Sequence, residues 1–271
     1  MKEYPNCPKC NSETWKYGFD WSNKQIFICK KCRTRFTLRS LTPFTNRKFP
    51  DNVIIYAIKF YYKYKMTTAD VARLLGDLGI QLSDEIVRLW VRDYTPILEH
   101  MIKNWNKRSY TKKWHIDETF TKVKGKTGYL FTVLDSENNI LSVFLSNRRD
   151  KESAKKALKL AEKEAGFKPE IVVSDEYPAY EKPVKKMDRK CKHVKAHFKG
   201  KWIIHKGKLM RLSNNRIEGL FSHFKLHYHQ FRGFKSFVSG NIIANGFKIF
   251  WNLKDKDILD LFSVKRIYFP L

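Results

Sequence analysis

The sequence is short of acidic side chains and of long apolar runs. Its 271 residues carry 27 Asp and Glu against 54 Lys and Arg, a formal net charge of +27. No apolar stretch approaches the ~20 residues that a membrane-spanning helix needs, and the first residues, MKEYPNCPKC, lack the apolar core of a secretory signal. Both absences predict a soluble, cytoplasmic protein with no membrane partner. Neither a G-x-S-x-G nucleophile elbow nor a Walker-type glycine loop occurs, which argues against an elbow-type hydrolase and a P-loop NTPase. Core-forming material is plentiful: 42% hydrophobic and 15% aromatic residues exclude wholesale disorder. A cation excess of this size in such a chain implies a polyanionic partner, and nucleic acid is the usual one.

The charge is unevenly spread. Residues 1–50 hold 11 basic and 3 acidic side chains, residues 51–181 hold 22 and 19, and residues 182–271 hold 21 and 5. Two basic ends flank a nearly balanced middle. From Lys182 to Lys248 there are 17 basic residues and two acids, Asp188 and Glu218. Phosphate-binding surfaces exclude carboxylates unless a metal ion sits between the two.

Four of the five cysteines read C-x2-C-x18-C-x2-C: Cys7, Cys10, Cys29 and Cys32. Two such knuckles fit one structural zinc ion held by four thiolates, against the alternatives of two disulfides or a redox pair. The intervening WKYGFDWSNKQIFIC alternates like a β-hairpin, and TRFTLRS follows as a further strand. A zinc ribbon over residues 1–45 is expected, its folding dependent on the metal. Lys30, Lys31, Arg33, Arg35 and Arg39 around the second knuckle are candidate phosphate contacts.

Past two prolines the pattern becomes helical. VIIYAIKFYYKYK sets Val53, Ile54, Ala57, Ile58 and Tyr61 on one stripe. Thr67 or Thr68 caps a second helix that stops at Gly76 or Gly79, and Ser83 caps a third that ends before Pro96. PILEHMIKNWNKR then reads as a separate connecting helix. Residues 46–109 form a helix-turn-helix candidate, with Arg88 and Arg92 on its recognition helix.

From Lys113 the period switches to strands. KWHIDETFTKV, GYLFTVLDSE and NILSVFLSN, with GKT and ENN turns, form an antiparallel meander. KESAKKALKLAEKEAG is an amphipathic helix, EIVVSDEYPAY a buried strand parallel to an earlier one, and a late helix begins near Asn214. That order predicts an α/β fold of RNase H type, a mixed sheet flanked by helices over residues 110–271. It sets Asp117 on the first strand, Asp175 at the end of the fourth and Glu218 on the late helix. Their oxygens suit Mg²⁺ or Mn²⁺, two ions in one site. Glu118 and Glu176 neighbour the aspartates, but strand neighbours face opposite ways. Asp135, in LDSENN, reads as a turn residue before it reads as a ligand. Cys191, His193 and His197 resemble part of a second zinc site with one ligand missing. His223, His227 and His229 share the Glu218 helix and read as a DNA-facing surface.

WHIDETFTKVKGKTGYLFTVLD, LSNRRDKESAKKAL, IVVSDEYPAY and SNNRIEGLFSHFK with GFKSF closely resemble DDE transposases of bacterial and archaeal insertion sequences. The best resemblance is to insertion-sequence family six, particularly archaeal-looking members with an N-terminal zinc ribbon. It covers residues 110–250 and, more loosely, the helix-turn-helix. The resemblance implies a triad of Asp117, Asp175 and Glu218, and its motifs select these aspartates over Glu118 and Glu176. Lys225 matches the basic residue that the family places after the glutamate to contact DNA near the scissile phosphate. Arg148 and Arg149 match its basic pair after the third strand, and Arg216, Arg232 and Lys235 are further DNA contacts in the basic C-terminal region. The 42 residues between Asp175 and Glu218 exceed the family's usual gap, and the surplus is expected in a loop around FKGKWIIHKGKLM. The expected function is metal-dependent cleavage and strand transfer of an element's terminal inverted repeats by a dimer or larger assembly on double-stranded DNA in a prokaryotic cytoplasm. The alternatives are a non-catalytic DNA-binding regulator and an RNase H-like nuclease that does not join.

Overall fold

The computed structural model describes residues 4–21, 23–38, 44, 48–105, 109–196, 199–231, 233–254 and 256–261. These fall into two units, one of residues up to 56 with 258–261, the other of residues 57–257.

The first unit contains a three-stranded antiparallel sheet, β1 (Thr14–Phe19), β2 (Gln25–Cys29) and β3 (Arg35–Thr37), in that order. This is the hairpin and added strand expected of a ribbon. Phe27 and Phe36 are buried, with ring centroids 5.9 Å apart, and they are most of the core that so short a segment can build.

Helix α1 (Asp51–Lys63) buries the expected stripe together with Ile55 and Tyr62. α2 (Thr68–Asp77) is capped by Thr67, whose hydroxyl accepts from the Asp70 amide at 3.0 Å. α3 runs unbroken from Asp84 to Trp105 with Pro96 inside it. The expected break before Pro96 does not occur. Proline removes one i to i−4 hydrogen bond, but Val87, Val91, Tyr94, Leu98 and Ile102 keep one buried stripe through the position, and that packing outweighs the lost bond.

The central sheet has the order β6-β5-β4-β7-β8. β4 (Lys113–Val123), β5 (Lys126–Asp135) and β6 (Ile140–Ser146) form the antiparallel meander, and β7 (Ile171–Ser174) lies parallel to β4. The first turn is Lys124–Gly125, both at positive φ, one residue before the expected GKT turn. α4 (Lys151–Ala165), capped by Asp150 and ended by Gly166 at φ +78°, carries the chain from β6 to β7. β8 (Lys192–Lys195), after the short α5 (Glu181–Met187), adds a further parallel strand. Three antiparallel strands followed by two parallel ones, with helices on both faces, make this an RNase H-like α/β fold.

Alternation along β4 sorts the core. Trp114 and Ile116 pack with Ala157, Leu158, Tyr180 and Val184 on the α4–α5 face. The other face packs Leu130, Leu134 and Leu145 against Ile217, Leu220, Phe221 and Phe224 of α6 (Asn215–Tyr228) and against Phe247 of α7 (Phe237–Leu253). α7 approaches so closely that a Cβ at Gly246 would lie 2.0 Å from the Tyr62 ring. The surplus chain before α6 is not a loop but a hairpin, β9 (Lys201–His205) and β10 (Lys208–Leu212). A short α8 (Ile258–Leu261) closes the described chain.

Candidate active site and cysteine centre

The pairing of β4 with β7 builds the candidate site. Lys113, Trp114 and His115 pair with Ile171, Val172 and Val173, and continuing that register by two residues sets Asp117 beside Asp175. Asp117 lies on the α6 side of the sheet, and Asp175, just past the end of β7, accepts from the Tyr177 amide at 3.0 Å. Asn214 precedes α6 and donates from Nδ2 to Asp117 Oδ2 at 3.0 Å. Its backbone carbonyl accepts from the Glu218 amide at 3.3 Å. One buried residue thereby joins the first aspartate to the turn that bears the glutamate. Asn214 lies within the SNNR motif, but nothing in the sequence separates it from its neighbour Asn215.

The electrostatics show the convergence. The Asp117 carboxyl is pushed up to about 8, first by burial and then by Glu118, Asp175 and Glu218. The Glu118 amide opposes this by donating to Asp117 Oδ1 at 2.8 Å. Three acids from a strand, a strand end and a helix therefore bear on one buried carboxyl. Two observations fit this cluster to a divalent cation. All donors are oxygens, and buried Asn214 Oδ1 has no partner among the described residues. Asp117, Asp175 and Glu218 do not draw their oxygens within 4.8 Å of one another; among the described residues, the four cysteines form the group that does.

Glu118 faces the opposite side, as strand alternation requires. Its side chain is 1% exposed and is held by Arg149 Nε and the Tyr180 hydroxyl. Arg149 also stacks on Tyr177, 4.0 Å from the ring centroid, and lies 4.0 Å from Asp175 Oδ2. Its guanidinium is thus engaged inside the protein, whereas neighbouring Arg148 is exposed. Asp135 is fully buried and accepts from the amides of Thr111, Glu137 and Asn139, the expected turn role.

The other cations predicted to meet DNA are distributed as follows. Lys225 stands two turns from Glu218 on α6. Exposed Arg216 donates to the Ser136 carbonyl. Arg88, Arg92 and Lys235 line one cleft of about 530 Å³ with Tyr61, Phe231 and Ile243. Arg88 pairs with Glu85 and Arg92 with Asp93. Lys30 pairs with Glu13, and Lys31 is exposed. Arg33 and Arg35 lie over the Trp15 and Tyr17 rings of β1, at 5.6 and 4.2 Å. Arg39, His197 and Arg232 lie outside the described residues.

Cys7, Cys10, Cys29 and Cys32 bring all four Sγ atoms within 4.8 Å of one another. Bonded contacts of 3.4–3.5 Å between sulfurs exceed a disulfide's length of about 2.0 Å and approach the ~3.8 Å edge of a zinc–thiolate tetrahedron. The two knuckles share one geometry. Asn11 and Arg33, each following a knuckle's second cysteine, have φ of 54° and 59° and donate back to the carbonyls of Cys7 and Cys29. Thr34 lowers the Cys32 thiol to about 6, which favours the thiolate that a metal binds.

Cys191 and His193 belong to no group of metal-ligating side chains among the described residues, and His197 lies outside them. Burial pushes the Cys191 thiol up to about 11, and His193 Nε2 shares a 2.8 Å hydrogen bond with Ser174. His227 corrects the expectation of a DNA-facing surface. It is 2% exposed, edge-on to Tyr61 at 4.5 Å, because its i+3 and i+7 relations to Phe224 and Leu220 set it on the buried stripe. His223 packs against Trp251, with ring centroids 5.5 Å apart, and His229 is exposed.

An RNase H-like sheet whose central strand carries Asp117, raised in part by Asp175 and Glu218, defines the class as an RNase H-like domain of DDE type. Residues 111–257 match the DDE domain family of IS240-type transposases, and the chain belongs to that family. The transposase for the insertion sequence-like element IS431mec of Staphylococcus aureus is 35% identical over 136 residues, 50% of this chain and 60% of its own length. The transposase for insertion sequence element IS257 in transposon Tn4003, also from Staphylococcus aureus, aligns with the same identity and coverage. The chain thus spans about 60% of the length of these curated relatives. Among solved structures, the HTLV-2 integrase catalytic core domain in complex with magnesium overlaps 55% of this chain and 90% of its own, at 17% identity and a TM-score of 0.38. Within the described residues, no helix is long and apolar enough to cross a membrane.

Proposed function

We propose that this chain is an insertion-sequence transposase that binds terminal inverted repeats and performs metal-dependent strand cleavage and strand transfer. The observation that carries the reading is the Asp117 carboxyl, buried and raised by acids from two other elements. Asp117, Asp175 and Glu218 hold divalent ions in this reading, and Asn214 orients Asp117. Bound Mg²⁺ or Mn²⁺, two ions, would supply a deprotonated attacking oxygen and stabilise the leaving one. The chain's own residues position the phosphodiester: Lys225 on the Glu218 helix and exposed Arg148 meet phosphates near the carboxylates, and Arg216 and Lys235 hold the strands further out. Both steps are in-line phosphoryl transfers, so one site serves cleavage and joining.

Residues 1–45, a zinc ribbon using Lys30, Lys31, Arg33 and Arg35, and residues 46–109, a helix-turn-helix using Arg88 and Arg92, recognise the repeats in this reading. Synapsis of two ends calls for a dimer or larger assembly on DNA. The test is a strand-transfer assay on labelled DNA carrying the element's own end, with Mg²⁺, Mn²⁺ or EDTA. Joined product that disappears in Asp117→Asn, Asp175→Asn and Glu218→Gln, with binding retained, is the expected result. DNA binding without cleavage under every condition would instead identify a regulator, and cleavage without joining would identify a nuclease.

A further inference from the structure

We propose that the outer face of the β9–β10 hairpin is a nucleic-acid contact that stacks Trp202 on a base left unpaired at a DNA end. The proposal rests on the reading of this chain as a DNA-transferring enzyme and adds a binding surface to it.

Register separates the two faces of the hairpin. Ile203 pairs with Met210 and Lys201 with Leu212, and on this side Ile203, Met210 and Leu212 pack with Ile171, Val173, Val194 and Ala196 of the central sheet. The opposite side pairs Trp202 with Arg211 and Ile204 with Leu209. There Trp202, Ile204 and Leu209 are 62%, 68% and 66% exposed. Three large apolar side chains side by side on one face are costly to leave in water and mark an interaction surface.

The hairpin is held firmly. Lys206 and Gly207, at φ of 50° and 75°, make a two-residue turn suited to strand twist. Lys206 Nζ lies 2.6 Å from Glu170, and His205 Nε2 lies 3.3 Å from the same carboxylate. Lys192 Nζ donates to the Ile204 carbonyl at 3.2 Å, and Arg211 donates to the Lys199 carbonyl at 2.6 Å. Gly200, at φ +69°, passes where a Cβ would meet the Leu212 carbonyl at 3.0 Å. Val173, under the hairpin, is two residues from Asp175, and Leu212 is two residues from Asn214. The surface is therefore positioned relative to both aspartates.

Charge identifies the occupant. Between Asp188 and Glu218 there are ten Lys and Arg and no acid. A second copy of this face would bring cation onto cation, whereas DNA complements it. Paired bases inside a duplex are covered by their neighbours, so an exposed indole finds a free ring only where a strand is unpaired. Arg211, exposed beside Trp202 on the same face, would meet a flanking phosphate.

The test uses the full chain and fluorescence anisotropy with two DNAs of one sequence, a blunt duplex and a duplex with a short single-stranded extension. Trp202→Ala is expected to weaken binding of the extended DNA roughly 5- to 100-fold and to leave the blunt duplex within about twofold. Trp202→Phe is expected to restore most of the loss, and Arg211→Gln to lower the salt dependence on both DNAs. Trp202 is largely exposed, so the fold is retained, which circular dichroism checks. Wild-type-like binding of both DNAs by Trp202→Ala overturns the proposal. So does an equal loss on both, or a DNA-free oligomer that Trp202→Ala dissociates, which would make the face a protein interface. A wild-type chain that binds neither DNA overturns the enzymatic reading itself, a result distinct from binding that ignores Trp202.

Discussion

Arg149 donates from Nε to the carboxylate of Glu118, a side chain only 1% exposed, while its other end reaches to 4.0 Å from Asp175. The pair explains how two adjacent acids on β4 coexist beneath a basic surface. Asp117 turns to the α6 side, and Glu118 is neutralised on the other. An unpaired charge buried this deeply is strongly destabilising. Arg149→Ala is therefore expected to lower unfolding stability by about 3–5 kcal/mol in urea titrations. Adding Glu118→Gln should recover much of the loss, since it removes the stranded charge. A single variant as stable as wild type would show that Glu118 needs no such partner.

The raised Asp117 carboxyl has a defined pH signature. Its folded value of about 8 exceeds its ordinary 3.8, so the folded state holds a proton that the unfolded chain releases. Its contribution to stability is complete below pH 3.8 and is lost progressively as pH rises through about 8. Asp117→Asn should therefore stabilise the metal-free protein more at pH 8 than at pH 5, seen as a widening gap in Tm. Mg²⁺ competes with that proton, so its apparent affinity should rise by up to about tenfold per pH unit between pH 6 and 8. Calorimetry in buffers of different ionisation enthalpy should find close to one proton released per site. Binding without proton release would place the metal away from Asp117.

Removing metal from the cysteine centre should unfold the ribbon selectively. The three ribbon strands have little apolar core beyond Phe27, Ile28 and Phe36, and four sulfurs within 4.8 Å would be held together by the ion. One zinc per chain by elemental analysis is the expected content. Cys29→Ser should abolish it and release the packing of Phe27 against Phe36, read as rapid proteolysis between β1 and β3. The far-ultraviolet signal of the helices in residues 57–257 should persist. Full zinc retention in Cys29→Ser would mean that three thiolates and another donor suffice.

Local patterns carried much of this architecture. The meander, the helix over KESAKKALKLAEKEAG and the strand ending just before Asp175 all follow from alternation, amphipathic spacing and glycine placement within a few residues. The cysteine spacing predicted the cluster for the same reason. What was not legible depends on partners distant in the chain. Pro96 reads as a helix end because its lost hydrogen bond is local, whereas the packing of Leu98 and Ile102 that carries α3 onward is not. Arg149 reads as a surface cation until Glu118, 31 residues earlier, is seen beside it. Asn214 acquires a role only through Asp117. The hairpin reads as a loop because both strands are short and lysine-rich, and its inner face is set by Ile171 and Val173.

His227 supplies the clearest case of a misread face and a further prediction. It lies among Tyr61, Tyr62 and Phe231, with Nε2 lacking a partner among the described residues. Burial, aided by Lys65, lowers its folded value to about 4 from the ordinary 6.5. Between those values the unfolded chain takes up a proton that the folded state refuses, so this contribution to stability is complete above pH 6.5 and fades as pH falls toward 4. His115, also lowered to about 4 by burial, acts in the same direction. His227→Phe keeps the ring contacts and removes the titration. The variant is expected to gain about 2–3 kcal/mol over wild type near pH 4 relative to their difference at pH 7. Parallel urea titrations at the two pH values measure it, and each protein's difference isolates His227 from the opposing slope of Asp117. An unchanged difference would mean that His227 stays protonated and solvated in the folded chain.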